Sequence, residues 1–178
     1  MNNKTKLFLQ SILIHSPFKG LYEEGLLHET RLLFVNWMFQ RIFGINGDVP
    51  WSVHFTSRVT NSDKIFLGKG VKKSFVVSSG CYIQGGNGIV IKEGTIFAPG
   101  VKIISANHGV DGENRGWTKS DPVVIGKNCW IGANAVILPN VVLGDYVVVG
   151  AGAVVTHSFP EYSILAGIPA KVIREIKK

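Results

Sequence analysis

The chain is poor in several things at once. It has only two cysteines in 178 residues, Cys81 and Cys129, with no CxxC spacing and no Cys/His pairing. Neither a zinc site nor a disulfide framework organises it, and both thiols read as small core fillers. It has no long hydrophobic run. The most apolar N-terminal stretch, LLFVNWMFQRIFGI, is broken by Asn36, Gln40 and Arg41 and is too short and too polar to span a bilayer. LFLQSILIHSPF follows a basic start, MNNKTK, but is short and lacks a small-residue cleavage site, so a secretory signal is not expected and the cytoplasm is. Membrane contact is not expected either.

Charge is also scarce. Charged residues make up 17% against 46% apolar, which argues for a well-buried interior rather than a disordered chain. Acid is the scarcer sign: 12 Asp and Glu face 19 Lys and Arg, giving +7, a field that attracts phosphates and acidic glycans. The basic residues are scattered and nowhere interleaved with aromatics, which leaves no nucleic-acid footprint.

What is present is a change of texture near residue 50. Before it, residues 1–48 read as a helical segment ended by Gly44 and Gly47. Leu32, Leu33, Val35, Trp37, Phe39 and Ile42 nearly encircle the axis of a helix there, so it should pack against protein. From Trp51 on, short Val/Ile pieces alternate with Gly, Asn and Pro, and they repeat every six residues. Leu67, Ile91, Phe97 and Ile103 share one phase; Ile125, Ile131, Ile137, Leu143, Val149 and Val155 share another. The fifth positions Val59, Ile65, Val71, Val77, Ile83, Ile89, Thr95 and Val101 run through the first half, where Lys73, Ser79 and Gly85 stand in place of aliphatics. That stretch reads as a distorted coil.

A period of six means a strand of about four residues and a turn of two, forming one side of a triangular prism. Hexads from Phe55 to His108 make three coils and those from Ile125 to Pro160 two more. Gly68, Gly126, Gly132, Gly144 and Gly150 fall at the turns, where freedom in φ is the expected reason for glycine. Such a stack needs capping, for which the N-terminal helices and a C-terminal cap at 161–178 are candidates. The 22 residues between Ile103 and Ile125 break the phase, so 109–122 is an external loop within the β domain 49–178. The fold class is an all-β parallel helix of hexapeptide repeats.

The ordered series IFAPGVKIISANH, a loop, then PVVIGKNCWIGANAVILPNVVLGDYVVVGAGAVVTHSFPEYSILAGIPAKVIR resembles the hexapeptide-repeat sugar O-acetyltransferases. That family includes galactoside, maltose and nodulation-factor acetyltransferases and capsule-modifying enzymes, and the likeness covers roughly residues 51–174. The resemblance implies a left-handed coil, although parallel crossovers are ordinarily right-handed. It also implies a homotrimer with acetyl-CoA as co-substrate, bound in the groove between subunits, and direct transfer to a hydroxyl without a metal or a protein nucleophile.

His108 matches the family's catalytic histidine, a neutral imidazole that takes the hydroxyl proton. Trp130 matches an aromatic near the thiol end of the donor. Gly132, Ala133, Ala151 and Thr156 match small or main-chain contacts to the pantetheine arm, and Lys171 and Arg174 match basic contacts to the nucleotide phosphates. On the acceptor side stand Asn107, Arg115 and Trp117, together with Ser78, which falls where galactoside and maltose enzymes carry an Asn about thirty residues before the histidine. That departure, and the run PWSVHFTSRV, point to a polysaccharide acceptor of capsule, O-antigen or exopolysaccharide type. Transfer to the nitrogen of an amino sugar and a non-catalytic binding β-helix stay open as alternatives. His54 and His157 lack the spacing to join His108 in a three-histidine zinc site like that of γ-class carbonic anhydrases.

Overall fold

The computed structural model describes residues 29–109 and 115–177. The earlier part of the N-terminal helical segment and the loop tip lie outside the described residues. Helix α1 (Thr30–Arg41) precedes three parallel sheets that form the faces of a prism. The first face stacks β1 (Arg58–Thr60), β3 (Tyr82–Gln84), β6 (Lys102–Ile104), β9 (Val136–Ile137) and β12 (Val154–Val155). The second stacks β2 (Ile65–Leu67), β4 (Ile89–Ile91), β7 (Val123–Ile125) and β10 (Val142–Leu143). The third stacks β5 (Ile96–Phe97), β8 (Trp130–Ile131), β11 (Val148–Val149), β13 (Ser163–Ala166) and β14 (Lys171–Glu175), the last antiparallel.

The strands are two to five residues long, most of them shorter than the four expected. Five coils result, as the hexad count requires. Inward apolar side chains form continuous columns. Val59, Ile83, Ile103, Ile137 and Val155 are register partners up the first face, and Phe97, Ile131, Val149 and Leu165 up the third. All are buried, each side chain contributing about 1.5–3 kcal/mol. Ile137 and Val155 are 18 residues apart, three hexads. Ile103 and Ile137 are 34 apart, the excess being the loop, and Val59 and Ile83 are 24 apart.

That second excess explains the distorted coil. Residues 72–77 form a short helix, α2 (Lys72–Val77), on the third face of the first coil, where a strand would have paired with β5. Two serines stand in for the missing strand: the Phe97 amide donates to Ser74 Oγ (3.1 Å), and Ser78 Oγ donates to the Phe97 carbonyl (2.7 Å). Val77, one of the fifth-position residues of the repeat, is exposed at the end of this helix.

The glycine expectation is also corrected. Gly68, Gly126, Gly132, Gly144 and Gly150 do not have positive φ; the left-handed corners are instead held by Gly70, Gly94, Gly100, Gly152, Asn128, Asn134 and Asn140, among others. The hexad glycines are needed because a side chain would strike the next coil. A Cβ at Gly126 would lie 2.7 Å from the Asp145 amide nitrogen, and one at Gly144 2.7 Å from Glu161 Cα.

At the lower end of the prism, helix α1 packs against the coils, with an amide, Asn36, rather than a large apolar side chain most deeply buried. It buries Asn36 and Gln40 with Leu33 while Phe34 and Ile42 are 61% and 64% exposed. The open end of a β-prism is a row of unpaired backbone groups, and amides answer it better than aromatics do. Asn36 accepts from the Phe55 amide and donates to the Val76 carbonyl; Gln40 accepts from Val53 N and donates to the Trp51 carbonyl. Asn46 does the same with Val59 N and the Ser57 carbonyl. Buried hydrogen bonds of this kind contribute about 0.5–1.5 kcal/mol each.

Candidate active site

The loop leaves the prism at the corner between the first and second faces, just after β6. Its two limbs pair as a short antiparallel ribbon. His108 is bridged to Trp117, the Gly109 amide donates to the Gly116 carbonyl (2.9 Å), and Thr118 donates from both its amide (2.9 Å) and its hydroxyl (3.0 Å) to the Asn107 carbonyl. The ribbon brings together four residues singled out from the sequence: Asn107, His108, Arg115 and Trp117, all exposed.

His108 Nδ1 lies 2.6 Å from the carbonyl oxygen of Arg115. A carbonyl only accepts, so Nδ1 is the donor in this contact, and in the neutral ring Nε2 is the nitrogen that keeps its lone pair. The Trp117 ring stands edge-on to the imidazole, 6.2 Å between centroids at 87°. Beneath the ribbon the coil is tied firmly: Ser105 Oγ donates to the Gln84 carbonyl (2.8 Å) and the Ala106 amide to Gln84 Oε1 (2.9 Å).

The expected donor residues lie elsewhere. Trp130, 54% exposed, points outward from the third face. Its row runs by register through Val148 and Ile164 to Arg174, three strand spacings or about 14 Å away. Lys171 starts the same last strand, and Ala133 and Ala151 follow β8 and β11 at the third-to-first corner. Thr156 stands two coils above His108 on the loop's corner, hydrogen-bonded to His157 Nδ1 at 3.1 Å.

Two of the expected residues are buried. Gly132 is buried beneath the next coil, a Cβ there reaching within 2.7 Å of the Ala151 amide nitrogen, and its own amide donates to the Val149 carbonyl. Ser78 is buried too, its hydroxyl spent on Phe97, so it does not face an acceptor. The corner's real neighbours are Gly86 and Asn87, which the sequence reading passed over. Their signal was present in Gly85-Gly86-Asn87-Gly88, a cluster where the repeat asks for an aliphatic residue.

Cys81 and Cys129 are buried, and burial pushes both thiols up, away from the reactive thiolate. Among the described residues no group of three or more His, Cys, Asp and Glu is arranged to hold a metal, and no helix is long and apolar enough to cross a membrane. A shallow groove of about 360 Å³ lined by Phe66, Val90, Lys92 and Lys127 lies on the second face, one corner away from the ribbon.

Short strands stacked in five three-sided coils, with a histidine-bearing loop at one corner, make a hexapeptide-repeat β-helix. Residues 122–157 match the bacterial transferase hexapeptide family (six repeats). The chain is 31% identical over 161 residues to galactoside O-acetyltransferase of Escherichia coli (strain K12), covering 88% of this chain and 75% of that protein. Several other relatives match over about half of their length, 53% in one case. A galactoside acetyltransferase in complex with coenzyme A superposes with a TM-score of 0.63 at 28% identity, covering 89% of this chain and 83% of that one. A hexapeptide-repeat acetyltransferase from Vibrio cholerae O1 biovar eltor, complexed with acetyl coenzyme A, superposes at 0.59 with 25% identity, covering 68% and 66%. The chain belongs to the hexapeptide-repeat sugar O-acetyltransferase family, and its coil is the left-handed parallel β-helix of that family.

Proposed function

We propose that this chain moves the acetyl group of acetyl-CoA to a hydroxyl of a sugar, with His108 as the general base. The observation that supports the role is the 2.6 Å contact between His108 Nδ1 and the Arg115 carbonyl, which calls for a proton on Nδ1, so that the neutral ring offers Nε2 as acceptor. The sugar hydroxyl gives its proton to Nε2 as its oxygen bonds to the thioester carbon. The tetrahedral intermediate then collapses, the C–S bond breaks, and the imidazolium returns the proton to the departing thiolate. No side chain needs to carry the acetyl group, in keeping with two buried, unreactive thiols.

Trp130, Ala133, Ala151, Lys171 and Arg174 serve the donor, Trp130 at the thiol end and the two basic residues at the phosphates. Because Trp130 and His108 stand on different sides of one prism, the third face of one copy serves the His108 corner of the next, in the homotrimer that the family resemblance implies. Arg115 and Trp117 hold the acceptor with Asn107. The acceptor is a polysaccharide of capsule, O-antigen or exopolysaccharide type, a reading that rests on the run PWSVHFTSRV and on Ser78 in place of the Asn of galactoside and maltose enzymes.

Steady-state turnover of acetyl-CoA over a panel of glycans tests this. His108→Ala is expected to lose about 10²–10⁴-fold in rate, and a variant as active as the wild type would overturn the base. Calorimetry with CoA tests the donor side separately: an intact protein with no measurable binding would overturn the enzyme reading.

A further inference from the structure

We infer that Asn87 is the positioning residue that holds the loop, and through it the His108 ring, in the productive orientation; this rests on His108 acting as base. A two-stranded ribbon alone is marginal in water and needs anchoring to a larger body. The His108 ribbon is anchored on its returning limb. Both amide protons of Asn87 are committed there, Nδ2 donating to the Thr118 carbonyl (2.8 Å) and to Ser120 Oγ (2.8 Å). The Asn87 main chain is itself fixed, its amide donating to Ser105 Oγ at 3.0 Å.

From there the connection to the imidazole is continuous. Thr118 binds the Asn107 carbonyl on the outgoing limb, Gly109 binds Gly116 across the ribbon, and the Arg115 carbonyl meets His108 Nδ1. The returning limb is what supplies that carbonyl, so its height above the coil sets the rotation of the ring. Since both Nδ2 protons are consumed inside the protein, Asn87 acts through the loop and not by donating to the acceptor sugar.

Gly86 completes the seat. A Cβ there would sit 2.8 Å from Trp117 Cε3 and 2.8 Å from Ala106 Cβ, so the indole rests directly on the glycine backbone. The carbonyl of Gly86 is held in turn by Lys64 Nζ at 3.0 Å. The GGNG cluster is thus a platform: glycine where the indole lands, asparagine where the limb is tied.

The test is the long-range proton–nitrogen spectrum of the imidazoles, read with steady-state kinetics, on wild type, Asn87→Ala and Ser120→Ala. Ser120→Ala removes one of the two anchors at a half-buried position and guards against a folding failure of the first variant. The wild-type ring should show the proton on Nδ1. In Asn87→Ala that signature should give way to a mixture with the Nε2 form, and kcat should fall about 10- to 100-fold while KM for acetyl-CoA stays within about twofold. Ser120→Ala should shift the same way by less. Folded variants with the wild-type spectrum overturn the inference, whatever their kcat. If His108→Ala retains activity, the base reading falls, and the spectrum still decides whether Asn87 orients the ring.

Discussion

The hydroxyl of Ser78 donates to the carbonyl of Phe97 at 2.7 Å, closing the lower edge of the third face where helix α2 takes the place of a strand. The hydroxyl does there what the backbone donor of a strand would do.

Ser78→Ala therefore removes the side-chain donor to the Phe97 carbonyl. The expected loss is about 1–3 kcal/mol of stability, seen as a lower denaturant midpoint, with KM for the glycan acceptor unchanged within about twofold. A variant of normal stability and weakened acceptor binding would return Ser78 to the active site.

Gly94 and Gly70 occupy equivalent left-handed corners, φ +72° and +84°, but differ in surroundings. Asn128 Oδ1 fills the space a side chain at Gly94 would take, whereas nothing lies within 4 Å of a Cβ at Gly70. Gly70→Ala should cost only the left-handed backbone penalty, about 1–2 kcal/mol, and Gly94→Ala should cost measurably more. Equal shifts in urea midpoint would mean that φ alone selects glycine at these corners.

His54 gives the fold a weak pH dependence. It is only 9% exposed, its ring stacks on Phe55 with 4.7 Å between centroids, and burial lowers its pKa from the ordinary 6.5. The unfolded chain then binds a proton that the folded chain refuses. Stability is full above about pH 6.5 and falls as pH drops from there towards the folded pKa, by at most about 1.4 kcal/mol per pH unit. Unfolding measured from pH 8 to 5 should show this slope in wild type and a smaller one in His54→Gln; identical slopes would exclude His54 as its source.

How far the sequence reached can be judged residue by residue. The period of six was enough to give the prism, because each inward column, such as Ile103, Ile137 and Val155, is an aliphatic residue at a fixed phase. The phase break was enough to place the loop, and the ordered motif was enough to single out His108. The helix α2 was not legible as such, since the substitution of Lys73, Ser79 and Gly85 for aliphatics says that a strand fails without saying what replaces it.

By itself, the sequence determined the period of six, how many coils it makes and where the chain departs from it. In the first half, the register that puts Val59 and Ile83 in one column with Ile103 came only from the stacked coils. The tertiary structure alone decided what each coil demands of the coils above and below. Ser78 against Phe97, Asn87 against Thr118, Gly132 beneath Ala151 and Asn36 against Val76 are all contacts between residues 19 to 40 positions apart. A repeat pattern records inward or outward, while these residues answer backbone groups left open at an edge, a corner or an end of the prism, and such needs exist only once the coils are stacked.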